Sequence, residues 1–133
     1  MKRQLIAYAV MLVLLPAIDF AWIGGVARGL YQGEIGALLA PNPRLVPAVI
    51  FYMLYTAGLL IFVVAPGLDR GDWRRTLGMA ALFGLIAYSV YDLTNLSVAK
   101  GFTTKIALAD MAWGMILTAL VASLGRLAAL RFG

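Results

Sequence analysis

Three aspartates stand in the most apolar stretches of this chain, where a charge is hardest to keep. Asp19 opens "DFAW", Asp92 sits in "YDLTN" and Asp110 opens "DMAWGM". A carboxyl in such surroundings can carry a proton, hold an ammonium group, ligate a hard metal ion or bond a neighbouring helix. Left ionised inside a membrane it costs at least about 2.5–3.5 kcal/mol, so each one calls for a proton, a cation or a donor.

The residues beside the acids have matching spacing. Tyr88, Asp92 and Asn95 follow i, i+4, i+7 and share one helix face. Asp19 and Trp22 are three apart, as are Asp110 and Trp113, so the pattern D-x-A-W occurs twice. Tyr52 and Tyr55 offer hydroxyls in another apolar run. The candidate ligand-binding set is Asp19, Trp22, Tyr52, Tyr55, Tyr88, Asp92, Asn95, Asp110 and Trp113. Within it Asp92 and Asp110 are the candidate acid and base of any catalysis, since burial separates the roles of paired carboxyls. Trp73, Tyr8 and Tyr31 are left to the ordinary aromatic belt of a membrane boundary.

Composition says what must position these groups. Of 133 residues, 63% are hydrophobic and 13% charged, and the mean hydropathy is +0.92. A soluble domain is nearer half apolar and a quarter charged, and so short a chain cannot hide the excess. A span needs about 20 mostly apolar residues. Four runs qualify, at about 5–26, 45–65, 76–98 and 106–127. The expected architecture is all-α: an integral membrane four-helix bundle forming one domain over residues 1–133. Pro66-Gly67 should end the second span, Asp72 should cap the third, Gly101 should part the third from the fourth, and Thr103 or Thr104 should cap the fourth. Pro16 removes the bond that the Leu12 carbonyl would accept, kinking the first span below Asp19.

Lys2 and Arg3 before an apolar run also fit a signal peptide, with Gly25-Val26-Ala27 as a cleavage site. The length of the run and Asp19 within it favour a retained span. Lys2, Arg3, Arg70, Arg74, Arg75, Arg126 and Arg131 fall on one side. Arg28, Arg44, Lys100 and Lys105 fall on the other. That excess places both termini in the cytoplasm. The loop 28–44 has rough helical spacing at Leu30, Ile35, Leu38 and Leu39. It reads as a short interfacial helix, either a lid or a plain connector, before Pro41-Asn42-Pro43 leads into the second span.

Depth counting then joins the acids. At 1.5 Å per residue Asp19, Asp92 and Asp110 all lie roughly 6–11 Å below the outer boundary, although their helices run in opposite directions. The expectation is an outer-facing pocket of acids and tyrosines with Trp22 and Trp113 as walls. Protons, a cation, or snorkelling Arg28, Arg44, Lys100 or Lys105 would neutralise it. The repeated D-x-A-W is either the trace of an inverted repeat or two independent placements at one rim.

There is no Cys and no His, which excludes disulfides, thiolate nucleophiles and imidazole ligation of haem or iron. Metal chemistry would be confined to oxygen ligands, and neither a metal site nor a cofactor is read from the chain. The net charge of +5 lies between apolar runs and anchors spans, so no nucleic-acid partner is expected. The expected partners are membrane lipids. A homodimer is a further possibility, with Gly78, Gly84 and Gly114 as close-packing surfaces.

"YDLTNL" at Tyr91–Leu96 followed by "DMAWGM" at Asp110–Met115 resembles the small bacterial four-span family catalogued as domain of unknown function 2177. "FYMLYTAGL" at Phe51–Leu59 and "LYQGEIG" at Leu30–Gly36 are similar to it too. The resemblance implies a multi-pass protein of the bacterial inner membrane. It implies no reaction. It also implies that Tyr91, Asp92, Asn95, Asp110, Trp113 and Gly114 belong to the family's signature. Where that family often has an aromatic-Pro pair in the last loop, this chain has Phe102-Thr103, so that loop is left out of the expected site.

Three functions stay open. One is a module that binds or translocates a small cationic or amphipathic ligand, or protons. Another is a membrane-embedded enzyme acting on a lipid or other hydrophobic substrate with an Asp acid/base pair. The third is an accessory subunit whose polar cluster only fixes helix register, so that Asp92→Asn would unfold it.

Overall fold

The computed structural model describes residues 1–26, 28–35 and 44–133, which are helical almost throughout. Apolar runs in lipid have one way to satisfy their amides within a single segment, the helix. α1 (Lys2–Ala21) leads through a π turn at Trp22–Val26 to α2 (Arg28–Ile35). α3 (Leu45–Leu59) continues through a second π turn, Leu60–Val64, into α4 (Ala65–Arg70), and α5 (Trp73–Val98) and α6 (Thr104–Phe132) complete the chain. Among the described residues four helical stretches are long and apolar enough to cross a membrane: Lys2–Gly25, Leu45–Arg70, Trp73–Val98 and Thr104–Phe132. The expected all-α four-span architecture is therefore present.

The caps follow the sequence at three places and depart from it at one. The Asp72 side chain accepts from the amides of Arg74 and Arg75, and Thr103 accepts from that of Ile106. Gly101 turns the chain at φ 87°. Pro66-Gly67 does not end the second span, which runs on to Arg70. The π turn just ahead loosens the hydrogen-bond ladder, so Pro66 falls in the first turn of α4, where its missing N–H is no loss. Gly71, in the left-handed region at φ 68°, makes the stop instead. α1 continues unbroken through Pro16. In the loop 28–44, α2 accounts for Arg28–Ile35. Gly36, Leu38, Leu39 and Pro41-Asn42-Pro43 lie outside the described residues, as does Ala27.

α6 is the central helix, packed on α1 along one side and on α5 along the other. Its buried face interleaves the large Ile106, Leu117 and Val121 with the small Ala107, Gly114, Thr118, Ala122, Gly125 and Ala129, and the small positions let backbones approach closely. α3 lies on α1, and its backbone stays apart from that of α5. Side chains bridge the two, with Tyr55 against Phe83 and Tyr88, and the backbones close where Leu60–Val64 and α4 meet α5. Large apolar side chains such as Val13, Leu54, Phe62, Val90 and Leu127 point outward. That is the pattern of a bundle solvated by lipid.

Gly84 and Gly114 are used within the chain, at the α5–α6 crossing. A Cβ on Gly114 would overlap the Tyr88 ring, and one on Gly84 would overlap the Gly114 carbonyl and Thr118. Gly78 meets nothing. Gly114→Ala is expected to push Tyr88 aside and destabilise the protein by about 1–3 kcal/mol. Gly78→Ala should be neutral or slightly stabilising. Thermal unfolding of both variants in one lipid checks this, and equal midpoints would contradict the close crossing.

Candidate functional site

The end of the bundle away from the chain termini, here called distal, holds the acids. The two D-x-A-W segments meet there face to face. The Trp22 and Trp113 rings stack with centroids 4.3 Å apart and planes 8° off parallel. Each indole serves the acid of the other segment. Trp113 Nε1 donates to Asp19 Oδ1 at 2.9 Å. Trp22 Nε1 donates at 3.3 Å to the Tyr31 hydroxyl, which donates at 2.6 Å to Asp110 Oδ1. Tyr52 donates to the second Asp19 oxygen at 2.8 Å. Asp19 is thus held by α3 and α6 at once, and both its oxygens are occupied.

Tyr31 brings α2 into the site. Its ring packs with Phe102, Ile106 and Ala107 in a small apolar cluster. Burial first, and then the Asp110 carboxyl it donates to, push the Tyr31 hydroxyl above its ordinary pKa, so it remains a donor. One turn further, Glu34 accepts from Thr103 at 2.7 Å. α2 is therefore fixed across the distal end by two side-chain bonds.

Beneath it lies a cavity of about 400 Å³. Asp19, Asp92 and Asp110 line it, with Tyr31, Phe51, Tyr52, Tyr88, Tyr91 and Phe102 as aromatic walls and Ile23, Ala87 and Ile106 between them. No Lys or Arg is among these residues. Asp92 is 0% exposed, and among the described residues neither of its carboxyl oxygens has a hydrogen-bond donor. Its polar neighbour on the wall is Asp110, another carboxyl. Two ionised carboxylates have no hydrogen to place between them.

Of the expected residues, Asp19, Tyr52, Tyr88, Asp92 and Asp110 line the cavity, and the other four do not. Tyr55 is buried below it, its hydroxyl 2.8 Å from that of Thr118 and its ring against Phe83 and Tyr88. Trp22 and Trp113 form the stacked pair behind Asp19 in place of walls, because their indole N–H groups are drawn to oxygens across the bundle. Asn95, one turn beyond Asp92, is half-buried near the end of α5. Among the described residues no Lys or Arg bonds an intramembrane acid; the donors are neutral hydroxyls and an indole.

Tyr31, Phe51, Tyr91 and Phe102 were missing from the expected set. Tyr31 is no belt residue, since α2 folds it inward. The Phe102-Thr103 loop, set aside in the sequence, supplies one cavity wall and the anchor for Glu34. The signal for both was available in part: an aromatic and a hydroxyl beside the break at Gly101, opposite a loop with its own acid.

A family model described as a predicted membrane protein (DUF2177) matches residues 4–127. No curated protein and no solved structure matches the chain.

Proposed function

The chain belongs to the DUF2177 family of predicted membrane proteins, and on that premise we propose that it is a membrane-embedded binding protein whose distal cavity receives a small cation, foremost an organic ammonium group. One observation carries the reading. Asp92 is wholly buried on the cavity wall with no donor to either oxygen among the described residues, beside a second carboxyl. A buried polar group without a partner is expensive to maintain, and a cation or a proton supplies what it lacks. The aromatic walls add to this, because ring faces attract cations and do so more strongly once water is excluded.

Binding is favoured over passage. Tyr55, Phe83 and Tyr88 pack together under the cavity, and Leu59, Val63, Leu117 and Val121 fill the core beneath. The Lys and Arg imbalance supports placing the distal end on the outer face of the bacterial inner membrane, with both termini cytoplasmic.

A second reading has its own support. Asp19, bonded by Trp113 and Tyr52, serves as a brace between helices. On this account the accessory role and the binding role belong to different acids.

The test uses protein in phosphatidylcholine nanodiscs titrated with tetramethylammonium. A ligand at about 100 times its Kd stabilises the folded state by about 2.7 kcal/mol, a clear rise in unfolding temperature. Wild type should show the rise, Asp92→Asn should lose it, and Trp73→Phe, at the exposed opposite end of α5, should keep it. Identical responses of wild type and Asp92→Asn would end the proposal.

A further inference from the structure

The cavity has a roof, a floor and a back, but its front is a cleft between two helices. Tyr31 of α2 with Phe102 and Ile106 form the roof among the described residues. Tyr88 lines the floor, backed from below by Tyr55 and Phe83, whose ring also approaches Gly58. Asp19 and the stacked indoles stand at the back. At the front, the backbones of α3 and α5 stay apart, and side chains bridge them below, at Tyr55, Phe83 and Tyr88. Two cavity-lining rings on the facing helices are exposed there, Phe51 at 44% and Tyr91 at 57%.

Depth decides what this opening faces. Phe51 lies six residues in from the start of α3, and Tyr91 seven before the end of α5. At 1.5 Å per residue both lie roughly 9–10 Å inside their helix ends, a depth belonging to hydrocarbon. The lips are apolar too: Ile50 and Leu54 on one side and Val90 on the other are all exposed. A water-borne ion would meet these surfaces only after entering the bilayer. An amphiphile already in the bilayer meets them first.

We infer that the cavity is loaded sideways from the lipid through the α3–α5 cleft, and that its ligand is an alkylammonium amphiphile. The head group sits against Asp92 and Asp110, and the tail leaves between Phe51 and Tyr91. This rests on the cation-binding reading and adds a route and a tail to it. A phosphate group is disfavoured there by charge, since the wall has three carboxyls and, among the described residues, no basic one. A neutral head would leave only a proton to compensate Asp92, whereas an ammonium head also gains from the second carboxyl and the aromatic walls. An apolar tail matches the exposed Phe51 and Tyr91 rings at the opening.

The experiment is photolabelling in phosphatidylcholine nanodiscs. The probe is octyltrimethylammonium with a diazirine at the tail end, and a neutral alcohol with the same tail is the control. Labelled peptides are mapped by mass spectrometry. The ammonium probe should label the Phe51 region of α3 and the Val90–Tyr91 region of α5. That labelling should fall to the level of the neutral control in Asp92→Asn, or when unlabelled octyltrimethylammonium competes. Competition requires no variant, so the test survives if Asp92→Asn folds poorly. Specific labelling confined to α2 and the Phe102 loop would overturn sideways loading and leave the cation site standing. Labelling of α3 and α5 that neither Asp92→Asn nor competitor reduces is ordinary lipid contact and would overturn the inference. If tetramethylammonium also fails to stabilise wild type, the cation-binding reading falls with it.

Discussion

Asp19→Ala should unfold this protein far more readily than wild type, by about 2–5 kcal/mol. Asp19 is 7% exposed, and its two oxygens accept from Trp113 on α6 and Tyr52 on α3. Removing the carboxyl strands an indole N–H and a hydroxyl, each costing about 1–3 kcal/mol when buried without a partner. Lipid offers neither group a substitute, although donors in the membrane-unfolded state find some partners and temper the loss. The variant also releases the restraint that holds Trp113 against Trp22. Near-ultraviolet circular dichroism should therefore lose the signal of the stacked pair before the helices melt. Tyr52→Phe removes one of the two donors and should cost less than half as much. An Asp19→Ala protein as stable as wild type, with the tryptophan signal intact, would show that the brace carries nothing.

The sequence was most informative where local rules suffice. Apolar run length set the four spans, because a bilayer enforces it regardless of neighbours. Depth counting brought Asp19, Asp92 and Asp110 to one level, since the rise per residue of a helix is nearly fixed. Asp72 and Thr103 were legible as caps because an N-cap bond reaches only two or three residues. The stop at Pro66 was misplaced for a related reason. Whether a proline ends a helix depends on the turn before it, and a π turn is not visible in residue types.

What could not be read was which acid is satisfied. The partners of Asp19 lie 33 and 94 positions away, and that of Asp110 lies 79 away. Nothing at Asp19 itself distinguishes it from Asp92. Tyr31 escaped notice because a tyrosine near a membrane boundary ordinarily faces the interface, and only the path of α2 turns this one inward. D-x-A-W repeats gave a real but ambiguous sign. Their indoles stack, Trp113 bonds Asp19 directly and Trp22 reaches Asp110 only through Tyr31, and that geometry neither requires nor excludes a duplicated ancestor.

Asp92→Asn should behave in the opposite sense to Asp19→Ala, raising stability without ligand by about 1–3 kcal/mol. The wild-type carboxyl is wholly buried, has no donor among the described residues and faces Asp110. Asparagine nearly keeps the shape, removes the charge and brings an N–H₂ group that can donate to Asp110. A group that weakens the empty protein is retained only when something that binds it restores the loss, which is the trade made at binding sites. An accessory subunit whose acids merely fix register predicts the reverse, since its Asp92 would be among the bonds that hold the bundle. Unfolding midpoints of both variants and wild type in the same neutral lipid separate the two accounts by sign alone. A loss of stability in Asp92→Asn comparable to that in Asp19→Ala would make all three acids structural and remove the case for a site. A gain, together with loss of the tetramethylammonium response, would fix Asp92 as the group the ligand completes.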